Sequence, residues 1–212
     1  MFDMDGLLVD SEPLWYLAES AVMARLGGTW TPANQHALVG GSMPSTVSYL
    51  LARATQPAEP TTVARWLMDE MVELVRSRPL PTLPGVLGLL TEVRAAGLPR
   101  ALVTSSEPAV VGAVLGRLDV QFDVVVCAAD VAHAKPDPEG YRLAATKVGA
   151  DPQRCIALED SPNGVAAAEA AGYRVIAVPS VVPVHERPGR VVLPTLAGVT
   201  LGRLRELAGL AA

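Results

Sequence analysis

Leu14, Leu17, Ala18, Ala21, Val22 and Leu26 recur at three- and four-residue steps, and Gly27-Gly28 ends the run. That spacing predicts an amphipathic helix with a defined stop. The same signal returns over residues 44–54 and again over 61–75, where Val63, Trp66, Leu67, Met71, Leu74 and Val75 share one face. Nothing between residue 12 and about residue 78 reads as a strand, so this block is expected to form a compact helical module. Arg78-Pro79-Leu80-Pro81-Thr82-Leu83-Pro84-Gly85 then supplies a stiff, non-helical connector.

Beyond the connector the pattern alternates. Helices are predicted over 86–96, 108–118, 138–148 and 164–171, and strands over 100–103, 124–128, 155–158 and 174–178. Strands that are apolar throughout and separated by helices form a parallel sheet covered on both faces. The expected fold is α/β: a doubly wound, Rossmann-like parallel sheet core with an inserted all-helical cap. The core is drawn from 1–10 and 80–212, and the cap from 11–79. No internal repeat or low-complexity tract interrupts this plan.

Composition narrows the partners. Half of the 212 residues are apolar, enough for a sizeable core, and the formal net charge is −5. With no basic stripe to offset phosphate charge, nucleic acid is excluded as a principal partner. No apolar stretch reaches the roughly 18 residues of a membrane span. Asp3 and Asp5 break any apolar start that a signal peptide would need. Cys127 and Cys155 lie in apolar runs and read as two buried, reduced thiols. A cytoplasmic protein, monomeric or weakly dimeric, is expected.

The chemistry sits where apolar strands end. Asp3-Met4-Asp5-Gly6 follows Met1-Phe2, Thr104-Ser105-Ser106 follows Ala101-Leu102-Val103, and Glu159-Asp160-Ser161 follows Cys155-Ile156-Ala157-Leu158. In a parallel sheet these clusters converge on one edge, where such sheets bind ligands. Lys135-Pro136-Asp137-Pro138 lies before a helix on the same side. Carboxylates from separate strand ends repel one another unless a cation lies between them. Hard oxygen ligands suit Mg²⁺. A phosphoryl group bound there would find a lysine, hydroxyls and backbone N–H groups for its remaining oxygens. The residues themselves therefore point to phosphoryl transfer on a small phosphorylated metabolite. Plainer roles stand beside these. Thr104-Ser105-Ser106 and Ser161-Pro162 also read as helix caps, Asp137 as a turn residue, and His36, His133 and His185 as surface groups.

The run Phe2-Asp3-Met4-Asp5-Gly6-Leu7-Leu8-Val9-Asp10-Ser11-Glu12-Pro13 resembles the first motif of the haloacid-dehalogenase superfamily. Thr104 matches the second motif, Lys135-Pro136 the third, and Glu159-Asp160-Ser161-Pro162-Asn163-Gly164 the fourth. The helical insertion resembles the subgroup that contains β-phosphoglucomutase and sugar-phosphate phosphatases. The resemblance implies a Mg²⁺-dependent phosphatase in which Asp3 is the nucleophile and Asp5 the general acid and base. It places the metal on Asp3, Asp5 through its backbone carbonyl, Glu159 and Asp160. It gives the phosphoryl oxygens to Thr104, Ser105, Ser106 and Lys135.

The cap loop Val39-Gly40-Gly41-Ser42-Met43-Pro44-Ser45 carries no Arg or Lys. β-Phosphoglucomutases usually have a basic residue there and a histidine at the position of Trp15. The run from Asp10 to Trp15 looks more like 2-deoxyglucose-6-phosphatase and hexitol-phosphatase relatives. Hydrolysis is favoured, with a sugar-phosphate mutase and a phosphometabolite-binding protein of little or no activity as alternatives. Trp15, Ser42 and Met43 are expected to meet the leaving group. Only Met1 and Phe2 precede Asp3 where relatives carry more apolar residues, so either this start is internal to a longer protein or the first strand is short and prone to fray, with an amino group near enough to perturb Asp3.

Overall fold

The computed structural model describes residues 1–118 and 120–210. Four helices come first: α1 (Glu12–Arg25), α2 (Pro32–His36), α3 (Met43–Leu51) and α4 (Pro60–Ser77). Then follow α5 (Val86–Ala95), β1 (Ala101–Val103), α6 (Pro108–Leu115), β2 (Val124–Val126), α7 (Glu139–Val148) and β3 (Ile156–Glu159). The order ends with α8 (Pro162–Ala170), β4 (Arg174–Ala177), β5 (Arg190–Val192) and α9 (Leu201–Leu207). The sequence pattern did not foretell α2, β5 or α9, and each is too short to display a period. The five residues of α2 bury nothing and rest on a Thr31–Asn34 capping box.

Strands β1 and β2 pair in parallel, as do β3, β4 and β5. Residues 1–3 join the two halves. Phe2 bridges Leu102 on one side and Leu158 on the other, both in parallel. The Phe2 N–H donates to the Ala101 carbonyl at 2.8 Å, and the Asp3 N–H donates to that of Leu158 at 3.1 Å. The sheet order is therefore β2, β1, residues 1–3, β3, β4, β5. This first segment is short, as expected, but it is laddered on both sides and Phe2 is 3% exposed, so it is not frayed. The amino group donates to the Ile156 carbonyl at 2.7 Å. Burial lowers its pKa to about 6, against a smaller opposing influence from Cys155.

Alternate residues of each strand point to opposite faces. Phe2, Leu102, Leu158 and Ile176 enter one cluster with Val86 and Leu89 of α5, Val110 and Val114 of α6, and Leu204 of α9. Ala101, Val103, Ala157, Val175 and Ala177 face the other way, against Tyr141 and Ala144 of α7 and Val165 and Ala168 of α8. The helices before the sheet hold a third cluster of Val22, Met23, Leu26, Val47, Leu50, Val63 and Leu67. Leu14 and Ala18 of α1 and Met71 and Val75 of α4 belong instead to the first sheet cluster, so one edge of the helical layer is packed onto the core. On α1 the expected stripe is rotated: Leu17 is 43% exposed while Glu19 is buried. Both cysteines are free; Cys127 is buried, but Cys155, at the outer start of β3, is only partly so. Among the described residues no helix is long and apolar enough to cross a membrane.

Candidate active site

The strand ends deliver the residues that their positions foretold. Asp3 closes the first segment, Thr104 follows β1, Glu159 ends β3 and Asp160 follows it. All four are buried. Lys135 reaches them from the loop before α7. Its Nζ donates to Asp3 Oδ1 and Glu159 Oε1, each at 2.6 Å, and to the Val103 carbonyl at 2.8 Å. Glu159 Oε1 also accepts from the Tyr141 hydroxyl at 2.5 Å. Tyr141 was not singled out from sequence; its signal was a tyrosine on the inner face of the helix that follows Lys135. Asp137 takes the turn role, accepting from the Glu139 N–H at 2.9 Å. His36, His133 and His185 are exposed.

Two glycines let the acids sit this close. Gly6 has φ +76, and a Cβ on it would lie 2.1 Å from Asp160 Oδ2. Gly164 opens the first turn of α8 to Glu159, whose Oε2 would be 2.0 Å from a Cβ there. Gly6 is thus glycine for contact as well as for backbone freedom, and Gly164, inside α8, for contact alone.

The charges do not balance. Asp3, Glu159 and Asp160 offer oxygens within 4.8 Å of one another, and among the described residues Lys135 is the one cation paired with them. Burial pushes the Asp3 carboxyl well above its ordinary range, Lys135 opposes this, and the charges of Glu159 and Asp160 add to it. Burial and the Glu159 charge raise Asp160 to about 8, against a hydrogen bond from the Ser180 hydroxyl at 2.5 Å. Burial alone would lower the Lys135 ammonium, but Asp3 and Glu159 hold it above its usual value. Glu159 Oε2 is buried without a hydrogen-bond partner. An all-oxygen set with surplus negative charge and an orphaned carboxylate oxygen fits a hard divalent cation such as Mg²⁺.

Asp5 stands apart from that cluster. Its Oδ1 accepts from the Ser11 hydroxyl at 2.5 Å and the Trp15 indole at 3.1 Å, and its Oδ2 accepts from the Ser106 hydroxyl at 2.7 Å. The hydroxyl of Ser106 is thereby committed to Asp5 instead of the phosphoryl position expected of it. Its N–H is taken by Thr104 Oγ1 at 3.0 Å. Trp15 likewise holds Asp5 while lining the cleft. Ser105, Ser42 and Met43 line the same cleft, which encloses about 750 Å³ including space open to solvent. Ser42 also caps α3, its N–H donating to the Ser45 hydroxyl at 3.0 Å.

The helical side of the cleft holds Trp15, as expected, and two acids that the sequence reading did not place there, Glu12 and Glu19. Glu12, Trp15 and Glu19 follow one another on α1 at steps of three and four, and all three line the cleft. That spacing was available as a polar stripe interleaved with the apolar one. Gln35 of α2 donates to Glu12 Oε2 at 3.0 Å, and the Trp30 indole donates to Glu19 Oε2 at 3.1 Å. Burial, then the charge of Asp5, raises Glu12 to about 7. Burial, then the charge of Glu12, raises Glu19 to about 8.

The profile of the haloacid dehalogenase-like hydrolase family matches residues 1–172. The chain belongs to that family. It is a hydrolase whose relatives carry the names of phosphatases. Hexitol phosphatase B of Escherichia coli O157:H7 is 37% identical over 98% of this chain and 92% of its own. Fructose-1-phosphate phosphatase YqaB of Escherichia coli K12 is 32% identical, over 84% of this chain and 94% of its own. CbbY of Rhodobacter sphaeroides, crystallised with phosphate, superposes with a TM-score of 0.88 at 29% identity, covering 96% of both chains. β-Phosphoglucomutase of Clostridium difficile shares the hydrolase's fold with a TM-score of 0.84 at 22% identity, covering 98% of this chain and 95% of its own.

Proposed function

We propose that the protein is a Mg²⁺-dependent phosphatase that hydrolyses a sugar or polyol phosphomonoester through an aspartyl-phosphate on Asp3. The observation that carries this reading is the pairing of two differently treated acids at one cleft. Asp3 is buried against Lys135, while Asp5 is held at the wall by three donors. Asp3 Oδ attacks phosphorus, and the bond from phosphorus to the leaving oxygen breaks. Asp5 gives that oxygen a proton, then takes one from the water that attacks the aspartyl-phosphate, releasing inorganic phosphate and restoring Asp3. Lys135, the Thr104 hydroxyl and the Ser105 N–H are assigned to the phosphoryl oxygens. The phosphatase names of the relatives support the same assignment.

Asp3, Asp160, Glu159 and the Asp5 backbone carbonyl would hold Mg²⁺, which supplies Lewis-acid charge neutralisation when bound. Tyr141 and Glu159 fix Lys135 against Asp3. Residues 11–79 act as the cap on a core of 1–10 and 80–212, closing through hinges near Asp10-Ser11 and residues 78–84. The Asn163 side-chain amide donates to the Gly40 carbonyl at 3.0 Å, a contact suited to holding the loop 38–41 over the site.

The test is phosphate release from polyol and sugar monophosphates with Mg²⁺, with excess chelator, and with Asp3→Asn. Release that stops with chelator and with Asp3→Asn supports the reading. Release that survives Asp3→Asn refutes the nucleophile, and isomerisation without release returns the mutase reading. The loop 39–45 has no cation for a second phosphate, which is why hydrolysis is preferred.

A further inference from the structure

Two polar groups on the cap wall are unspent. Thr46 is 8% exposed and lines the cleft, yet among the described residues nothing hydrogen-bonds its hydroxyl. Helical Ser and Thr commonly bond the carbonyl four residues back, as Ser20, Thr91 and Thr146 do here. Thr46 does not. Glu19 is 4% exposed. Trp30 occupies its Oε2, and among the described residues no donor reaches its Oε1. Both residues line the cleft. Beside them, the Gln35 amide nitrogen is spent on Glu12, leaving its carbonyl oxygen as a further acceptor.

The charge along this wall has one sign. Among the described residues lining the cleft, Lys135 is the only lysine, arginine or histidine, and it is engaged on Asp3 and Glu159. Asp5, Glu12, Glu19 and Glu107 are the ionisable groups away from the floor among the described lining residues. A second phosphate or a carboxylate there would find no cation to offset its charge. A hydroxyl, which both donates and accepts, suits a carboxyl oxygen beside a threonine hydroxyl. Burial raises the Glu19 carboxyl to about 8, so near neutrality it can also donate.

We propose that Glu19 and Thr46 determine specificity by binding hydroxyls of an uncharged polyhydroxy leaving group, so that polyol and sugar monophosphates are accepted and esters with a second anionic group are rejected. The inference rests on the phosphatase reading above. A site built to bond a hydroxyl discriminates strongly against partners that leave its polar groups unpaired.

The experiment measures phosphate release, with Mg²⁺, from a hexitol monophosphate, a ketose bisphosphate, phosphoglycolate and 4-nitrophenyl phosphate. It compares wild type with Thr46→Val, Thr46→Ser and Glu19→Gln, each checked for a cooperative melting curve matching wild type near pH 5. Wild type is expected to favour the hexitol monophosphate over the bisphosphate and phosphoglycolate by about a hundredfold in kcat/KM, the scale of one to two lost charge-assisted contacts. Thr46→Val and Glu19→Gln should lower the ratio of hexitol phosphate to aryl phosphate kcat/KM by about tenfold, mainly through KM, and Thr46→Ser should restore most of it. Equal turnover of bisphosphate and monophosphate, or a ratio unmoved in both variants, overturns the specificity assignment while hydrolysis stands. No phosphate from any ester, the aryl phosphate included, overturns the phosphatase reading and this one with it.

Discussion

On the floor of the cleft, Asp3, Glu159 and Asp160 stand at the ends of buried strands, and Lys135, from the loop before α7, is locked to Asp3, Glu159 and the Val103 carbonyl. On the cap wall, Glu12, Trp15 and Glu19 hang from successive turns of one helix, steadied by single hydrogen bonds from Gln35 and Trp30. The floor has surplus charge and little freedom, as suits chemistry that must be preorganised. The wall has spare hydrogen-bonding capacity and faces a gap wide enough for a ligand. Under the proposed roles, catalysis and selection are separated between the two sides, with Asp5 tied to both through Ser106 of the core and Trp15 of α1.

The comparison breaks most sharply at Asp3. Asp3→Asn keeps the size of the side chain and removes the nucleophile, so turnover of every phosphomonoester should fall at least about a thousandfold. Steady-state kinetics on aryl and polyol phosphates together check it. A wall substitution should never act so evenly.

Next comes Lys135→Ala, which leaves Asp3 and Glu159 buried with no cation. Removing one partner of a buried ion pair costs about 3–5 kcal/mol, and turnover should be lost as well. Thermal unfolding of the metal-free protein should fall steeply. If Lys135→Ala melts like wild type, the floor is not held together by charge.

Gly6→Ala follows. It forces a side chain into φ +76 and against Asp160, which should cost about 1–3 kcal/mol and displace the acid that faces the metal position. Metal affinity, read by titrating Mg²⁺ against turnover, should weaken more than polyol phosphate binding. Equal losses in both would mean the strain spreads to the wall.

Much of the floor was legible because its pattern is local. An apolar strand followed by an acid reads the same in one dimension as in three, and the parallel order of strands then brings Asp3, Thr104 and Asp160 to one edge. The buried face of α4, with Val63, Leu67, Met71 and Val75, also followed from its period. What the sequence reading lost depended on rotation and side-chain choice. Leu17 looked like part of the α1 stripe, yet the helix turns so that Glu19 is buried with Trp30 for a partner. Ser106 looked like a phosphate ligand because nothing local says that its hydroxyl meets Asp5, 101 positions earlier in the chain. The two short elements β5 and α9 offered too few residues for a periodic signal.

The smallest expected effect isolates the wall from the floor. Glu19 has an ordinary pKa of 4.5 and is raised to about 8 by burial, with Glu12 adding to the shift. Between those two values the folded protein holds a proton that the unfolded chain has released. The stability associated with the neutral carboxyl is therefore full below pH 4.5 and is lost as pH rises through 8. Glu19→Gln removes this slope and keeps an acceptor for Trp30. Glu12, Asp3 and Asp160 titrate in both proteins, so their pH dependence largely cancels in the difference. The variant and wild type should melt alike near pH 5. Because water in the cleft relieves part of the burial cost, the gain by pH 9 should be modest, about 2–4 °C for each kcal/mol in a chain of this size. A melting difference that stays flat from pH 5 to 9 would place Glu19 in an environment as wet as the protein surface, and the wall would lose the desolvation that makes a hydroxyl contact there selective.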